Sequence, residues 1–221
     1  MLGSMMKILC STVAAFGLAL AAAGAQPTVA QGAKTYEFVT HAAFFSLEAK
    51  QANIVDPQAF VTDPAATAGP GPQGIVHLAG FRPAFGVEDP STPVVNAQGR
   101  ALGFTFAEWF GARGSVKLTP AGTTTAAAFT FAGLMPNGRY SLFENHFGDS
   151  GVTFTPLDGN ATTNSFTASR DGRAALGLTI PGAVSNAEGL LLVYHSDGRD
   201  HGMERGQLGI TAHHQLIVRI P

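Results

Sequence analysis

From residue 126 to residue 147 the chain reads Ala126-Ala-Ala-Phe-Thr-Phe131, then Ala-Gly-Leu-Met-Pro-Asn-Gly138, then Arg139-Tyr-Ser-Leu-Phe-Glu-Asn-His-Phe147. The first and last segments are rich in aromatic and other β-forming residues, and the middle one contains the Pro-Asn-Gly sequence of a tight turn. This pattern predicts two strands joined by a turn.

Five further segments after Gly114 have the same character, and they are residues 115–118, 162–168, 174–180, 189–195 and 208–220. Short strands separated by glycine, proline, asparagine or aspartate are typical of an antiparallel sandwich or barrel. We therefore expect a mainly β protein, namely an antiparallel β-sandwich of about seven to nine strands that occupies residues 100–221.

One short helix is expected near residues 106–112. Thr105-Phe-Ala-Glu108 has the form of a capping box, in which the threonine hydroxyl accepts from an early helical N–H and the glutamate accepts from the threonine N–H. Gly111 and Gly114 follow and can end the helix. The helix would carry Trp109, the only tryptophan, into the core.

Residues 1–25 have the features of a secretory signal peptide. Lys7 precedes an apolar run at 8–23, which is too short to span a bilayer, and Ala23-Gly24-Ala25 supplies small residues before a cut at Gln26. We therefore expect an exported protein, periplasmic or extracellular. The only cysteine, Cys10, lies in this segment, so the mature chain forms no disulfide.

Between the signal peptide and the sandwich we expect a flexible tail at residues 26–35, then a segment at 36–99 whose strands and loops pack on the main domain. The apolar run at 36–47 fits either a bulged strand or a strand that runs into a short helix. Periodicity does not distinguish these two structures.

Charge is sparse and balanced along the chain. Removal of Lys7 from the 13 basic residues leaves 12 against 15 acidic ones, a net charge of −3. The basic residues are scattered singly, so we expect no nucleic-acid partner. No second apolar stretch approaches the length of a membrane span, so we expect none in the mature chain.

Histidines concentrate in the C-terminal part, since five of the seven lie at or after residue 146. The candidate zinc or copper ligands are His146, His195, His201 and His214, with Glu144, Asp197 and Asp200 as nearby carboxylates. A blue copper site is excluded because the mature chain has no cysteine.

Two of the histidines are adjacent in a predicted strand. Simple alternation along residues 208–220 places His214 toward the core, on the face of Leu216 and Val218, and His213 toward solvent. Because neighbours on a strand face opposite ways, the two imidazoles can join one site only if the strand contains a bulge.

Phe147-Gly-Asp-Ser150-Gly contains the Gly-Asp-Ser-Gly string that surrounds the nucleophile of trypsin-like proteases. Val152 replaces the glycine that follows in that family, and the residues around His41 lack the family's order. A nucleophile also needs a base and an oxyanion hole. We interpret the string as a turn and assign no catalytic residue.

The segment from Phe131 to Leu142 resembles a strand–turn–strand element of exported bacterial β-sandwich proteins whose functions are uncharacterised. The resemblance includes Asn96-Ala-Gln-Gly99, Trp109, Tyr194-His-Ser-Asp-Gly198 and His201-Gly202, and it covers residues 96–221. It implies a fold and a compartment, and no activity.

Three functional hypotheses follow. The first, favoured by the low charge and by the lack of a coherent catalytic set, is an exported, non-enzymatic protein that binds a protein, a surface or a small molecule through its loops. The second is a zinc or copper domain that uses the C-terminal histidines. The third is a structural extracellular component. The first needs no cofactor.

Overall fold

The computed structural model describes residues 32–149, 151–185 and 188–221, which belong to one compact unit of the chain. The strands are β1 (Lys34–Glu37), β2 (Val39–Thr40), β3 (Val55–Thr62), β4 (Gly69–Pro70), β5 (Val76–His77), β6 (Phe81–Phe85), β7 (Pro93–Val95), β8 (Ala101–Thr105), β9 (Arg113–Ala121), β10 (Thr124–Ala132), β11 (Arg139–Gly148), β12 (Gly151–Pro156), β13 (Ser165–Thr167), β14 (Ala174–Pro181), β15 (Glu188–His195) and β16 (Ala212–Arg219). The helices are α1 (His41–Glu48) and α2 (Phe106–Phe110). The prediction of a mainly β, antiparallel protein is confirmed, with a second helix in addition to the one expected.

Two sheets form the main body. Sheet 1 has the strand order β1-β9-β10-β14, and sheet 2 has the order β12-β11-β15-β16-β2, with β13 also paired to β11. Every pairing within these two sheets is antiparallel. Sheet 3 has the order β6-β3-β7-β8 and is built from the segment before residue 106, while β4 and β5 form a separate pair.

The inner faces of sheets 1 and 2 contribute to one apolar core. In β10 buried and exposed residues alternate, as expected for a strand with one face against a core and one against water. The shared core includes Val116, Phe129, Phe131 and Ile180 of sheet 1 and Tyr140, Leu142, Leu192, Tyr194, Leu216 and Val218 of sheet 2. This is the arrangement of a β-sandwich.

Sheet 2 differs from sheet 1 because its outer face is also covered. Almost every residue of β15 and β16 is buried, and a second cluster of Phe143, Leu191, Val193, Ala212 and Ile217 lies on that outer face. Phe44 of α1 and Leu208 pack against this cluster.

Helix α1 is attached to sheet 3 by one serine. Its N-cap is Thr40, whose hydroxyl accepts from the Ala43 N–H at 3.3 Å. Ser46 accepts from the Val55 N–H at 2.9 Å and donates to the Val55 carbonyl at 3.2 Å. Of the two structures open for residues 36–47, the chain adopts the strand followed by a helix.

Helix α2 has the predicted capping box. The Thr105 hydroxyl accepts from the Glu108 N–H at 3.3 Å, and the Thr105 N–H donates to the Glu108 carboxylate at 2.8 Å. Trp109 is buried as predicted, and its indole N–H donates to Asp56 Oδ2 at 2.7 Å. Asp56 Oδ1 accepts from the backbone N–H groups of Gln58 and Ala59.

The region between Leu192 and Val193 on β15 faces a bulge in β16. Leu192 pairs with Leu216 but Val193 pairs with His214, so Gln215 is the extra residue. The residues of β16 that precede Gln215 therefore point to the opposite faces of the sheet from those that simple alternation predicts. His214 lies on the outer face with Ala212, and His213 lies on the inner face beside Trp109, at 6.3 Å between ring centroids. The prediction that His213 faces solvent is wrong, since it is 0% exposed.

The N-terminal predictions fall mostly outside the described residues. The signal peptide at 1–25 and most of the tail at 26–35 lie there. Lys34 and Thr35 of the predicted tail belong to β1 and pair with Leu118 and Lys117. The segment 36–99 provides β3, β6 and β7 of sheet 3 and strand β2 at the edge of sheet 2, whereas β8 of sheet 3 lies after it, at Ala101–Thr105.

We predict that Trp109→Phe destabilises the protein more at pH 8 than at pH 5.5. Burial raises the pKa of Asp56 to about 6, whereas the Trp109 N–H favours the charged form. Loss of that donor leaves a buried carboxylate with one fewer partner, a loss of about 1–3 kcal/mol when the group is ionised. Urea unfolding followed by circular dichroism at both pH values measures the difference.

Phe104→Leu is the matched control, because Phe104 packs edge-on against Trp109 at 5.2 Å and has no polar atom. Its effect on the free energy of unfolding should be equal at the two pH values. An equal loss at both pH values for Trp109→Phe would contradict the assigned interaction.

Candidate functional site

A cavity of about 400 Å³ lies over the outer face of sheet 2, between α1, β12 and the segment that precedes β16. Its walls are mainly apolar and aromatic, with Phe44 from α1, Phe147 from β11, Phe154 from β12, and Leu208 and Ile217. The rings of Phe44 and Phe147 contact each other at 5.9 Å between centroids. Volumes of about 300–1,000 Å³ with apolar walls and a few polar groups are characteristic of small-molecule sites.

The polar end of this cavity is built around His214, which the β16 bulge turns to the outer face. Its backbone N–H donates to Gln58 Oε1 at 2.7 Å, and its Nδ1 lies 3.1 Å from Gln58 Nε2. Gln58 Nε2 also donates to Gln73 Oε1 at 2.8 Å. Burial, with His41 and Arg205 nearby, lowers the pKa of His214 well below its ordinary value.

His41, the first residue of α1, contacts His214 in the wall of the cavity. The two rings are nearly perpendicular, with centroids 4.8 Å apart, and His41 Nε2 lies 3.4 Å from His214 Nδ1. His41 Nδ1 is buried and has no hydrogen-bond partner among the described residues. Burial and the Arg205 charge lower the pKa of His41 to about 3, so both imidazoles are neutral at pH 7.

Arg205 brings the positive charge of the site. Its guanidinium carbon lies 3.1 Å from the centroid of the Phe154 ring, and Nη1 lies 3.1 Å from His214 Nε2. Burial lowers the pKa of Arg205 to about 10, so the group stays charged at pH 7. No carboxylate in the described part of the chain lies within ion-pairing distance of it.

The four histidines predicted as metal ligands occupy three separate places. His214 is in the cavity just described. His146, on β11, donates to or accepts from Thr155 at 2.9 Å and lies 3.9 Å from the carboxylates of Glu144 and Glu188. His195 and His201 are neighbours, with ring centroids 5.3 Å apart.

The His195–His201 pair is a polar cluster at the C-terminal end of β15, in which His195 is buried and His201 is half-buried. His195 Nε2 lies 2.7 Å from the Ser141 hydroxyl, while His195 Nδ1 has no partner among the described residues. His201 Nε2 lies 3.3 Å from Asp197 Oδ2, and Asp200 pairs with Arg139. Burial, with His201 beside it, lowers the pKa of His195 to about 4.

These placements do not assemble the predicted metal centre. Across residues 32–149, 151–185 and 188–221, no group of three or more histidine, cysteine, aspartate or glutamate side chains is arranged to hold a metal ion. Zinc sites commonly use three or four such ligands. We therefore build the functional argument on the cavity.

Sequence reasoning missed most of the cavity. Gln58, Asn145 and Arg205 belong to no recognisable motif. His41 stands out only through a protease pattern that the residues around it do not fit. The one available signal was the adjacent pair His213 and His214, for which a shared site required a bulge. Ser150 of the protease-like string lies outside the described residues.

Comparisons with protein-family models, with curated proteins and with solved structures found no match to this chain. Neither α1 nor α2 is long and apolar enough to cross a membrane.

We predict that acid unfolds the protein with a net uptake of protons. Burial holds the pKa values of His41, His195, His213 and His214 below 6.5, so the stability from these groups is present above pH 6.5 and is lost as the pH falls. Asp56 acts in the opposite direction, because its folded pKa of about 6 lies above the ordinary 3.8.

At pH 5, unfolding should bind four protons at the imidazoles and release one from Asp56, a net uptake of about three, each equivalent to about 1.4 kcal/mol per pH unit. The local slope of the free energy of unfolding against pH near pH 5, taken from urea unfolding at a series of pH values between 7.5 and 5, gives this number. A slope equivalent to one proton or fewer would show that the imidazoles are not held neutral by the fold.

Proposed function

We propose that the protein is an exported, non-enzymatic binding protein that takes a small, largely apolar ligand in the cavity over the outer face of sheet 2. The observation that carries this proposal is the combination of apolar walls with one polar end in a cavity of about 400 Å³. Export rests on the signal peptide expected at residues 1–25.

The way in which the cavity walls are held in place supports a ligand-binding site. Four phenylalanines line the cavity, and they come from α1, β11 and β12. Helix α1 is held in place from outside the cavity, through Ser46 and the backbone of Val55. The fold thus supports the cavity roof without filling the space below it.

The polar groups support recognition in preference to catalysis. The described residues that line the cavity provide imidazole, amide and guanidinium groups, and the one carboxylate among them, Glu48, lies 3.7 Å from Arg219. Nucleophilic catalysis requires a nucleophile within reach of a base. The described lining includes neutral imidazoles without such a nucleophile beside them.

We predict that Leu208→Trp weakens binding of a neutral apolar probe. Leu208 is half-buried and lines the cavity, so an indole at this position occupies the volume that a ligand needs. The probe is N-phenyl-1-naphthylamine, whose fluorescence rises in apolar surroundings, titrated against purified mature protein. The wild type should give a saturable rise and Leu208→Trp should lower the affinity at least about tenfold.

Leu78→Trp is the matched control, since Leu78 is 53% exposed and does not line the cavity. It should bind the probe like the wild type. Absence of saturable binding to the wild type, or equal binding by Leu208→Trp, would overturn the proposed function.

A further inference from the structure

We propose that the ligand is an amphipathic monocarboxylate, whose carboxylate contacts Arg205 and His214 while its apolar body lies between the phenylalanines. This inference rests on the proposed binding function and specifies the chemistry of the ligand. It is carried by the hydrogen-bond donors of Arg205 and His214 at the polar end of the cavity, and by two buried polar atoms of the lining that have no partner among the described residues.

Arg205 supplies the charge that a carboxylate needs. The guanidinium is half-buried against Phe154, and only one of its nitrogens, Nη1, has a described hydrogen-bond contact, which is to His214. A guanidinium has five N–H donors, and its planar fork matches a carboxylate. A carboxylate in the cavity would pair a charge that no described carboxylate pairs.

The imidazole of His214 lies between two donors, the Gln58 amide at Nδ1 and the Arg205 guanidinium at Nε2. The His214 backbone N–H donates to Gln58 Oε1, which fixes the amide so that Gln58 Nε2 points its N–H at His214 Nδ1. Nδ1 must then accept, and the proton of the neutral ring sits on Nε2, which faces the donor Nη1 of Arg205.

The other neutral tautomer has a different set of partners. If Nε2 accepts from Arg205, the proton sits on Nδ1, which lies 3.1 Å from the Gln58 amide nitrogen and 3.4 Å from His41 Nε2, a possible acceptor. The tautomer that accepts from Gln58 is therefore the one that places the Nε2–H beside the Arg205 donor. An acceptor oxygen near Nε2 and the guanidinium would receive hydrogen bonds from both, and charge-assisted bonds of this kind are about twice as strong as neutral ones.

Two further polar atoms support a ligand at this end of the cavity. His41 and Asn145 both line it and are 5% and 4% exposed. His41 Nδ1 and Asn145 Oδ1 have no partner among the described residues. Buried polar atoms are normally paired, so His41 Nδ1 is available to a ligand or to water, whereas Asn145 Oδ1, which is an acceptor, is available to a water that the ligand holds and not to a carboxylate oxygen.

The charges of the cavity lining favour a ligand with one negative charge. Arg205 is the cation of the described lining, because both imidazoles are neutral at pH 7, and no described carboxylate lies within ion-pairing distance of it, although Glu204 nearby raises its pKa against the effect of burial. Glu48 and Arg219 pair with each other. A dianion such as an alkyl phosphate would bring a second charge into a largely apolar cavity without a cation to pair it.

The test is displacement of N-phenyl-1-naphthylamine from the mature protein at pH 7.5 by four molecules with the same alkyl body. These are decanoate, decan-1-ol, decylamine and decyl phosphate. Decanoate should bind at least about tenfold tighter than each of the other three. In Arg205→Met, decanoate should fall to the affinity of decan-1-ol, while decan-1-ol keeps its own.

Arg170→Met is the matched control, since Arg170 is exposed and lies outside the cavity lining, and it should keep the preference for decanoate. Arg205→Lys, which keeps the charge and loses the planar fork, should bind decanoate with intermediate affinity and provides a second variant if Arg205→Met does not fold.

Equal binding of decanoate and decan-1-ol by the wild type, or tighter binding of decyl phosphate, overturns the carboxylate proposal and leaves the binding function intact. Failure of every molecule, the probe included, overturns both.

Discussion

Gln58 connects two irregular strands, β3 and β16, by hydrogen bonds, and the rest of the architecture depends on this connection. We call it the β3–β16 interlock. In β3 the register against β6 shifts between Asp56 and Phe60, and in β16 it shifts beside Gln215. Gln58 lies at the first irregularity and holds the second. Its backbone carbonyl accepts from His213 Nδ1 at 2.9 Å, and its side-chain oxygen accepts from the His214 N–H at 2.7 Å. Hydrogen bonds lost from regular sheet pairing are thus replaced by contacts between distant parts of the chain.

The interlock determines where each imidazole goes. With the bulge, His213 packs inside against Trp109 and His214 enters the cavity. Asp56 extends the same connection to α2, because it accepts from the Gln58 N–H on one oxygen and from Trp109 on the other. A buried carboxylate without a cation is energetically unfavourable, and here three N–H donors offset part of that penalty. The hydrogen bonds of Asp56 and Gln58 in the core therefore determine the geometry of the cavity.

Local patterns in the sequence predicted the regular elements and failed at the irregular ones. The alternation of β10 and the capping box at Thr105 are local, and both are present in the structure. The faces of His213 and His214 depend on one extra residue opposite Leu192 and Val193, and a shift of one residue reverses the face of every side chain beyond it. The positions of Gln58 and Arg205 depend on contacts 156 and 9 residues away in sequence. No periodicity in either segment contains that information.

The polar end of the cavity is built at the expense of stability. Two neutral imidazoles, one of them with an unpartnered nitrogen, line the cavity together with the unpartnered Asn145 oxygen and a guanidinium that has no ion pair among the described residues, where apolar side chains would pack without conflict. Such arrangements are found where a fold reserves groups for a ligand, because the ligand restores the missing hydrogen bonds and thereby stabilises the folded state. The same reasoning separates this site from the His195–His201 pair. Neither histidine of that pair lines the cavity, although His195 Nδ1 has no partner among the described residues. Unpartnered polar atoms support a binding site only where there is space beside them for a ligand, and the cavity lined by His41, Asn145 and Arg205 has that space.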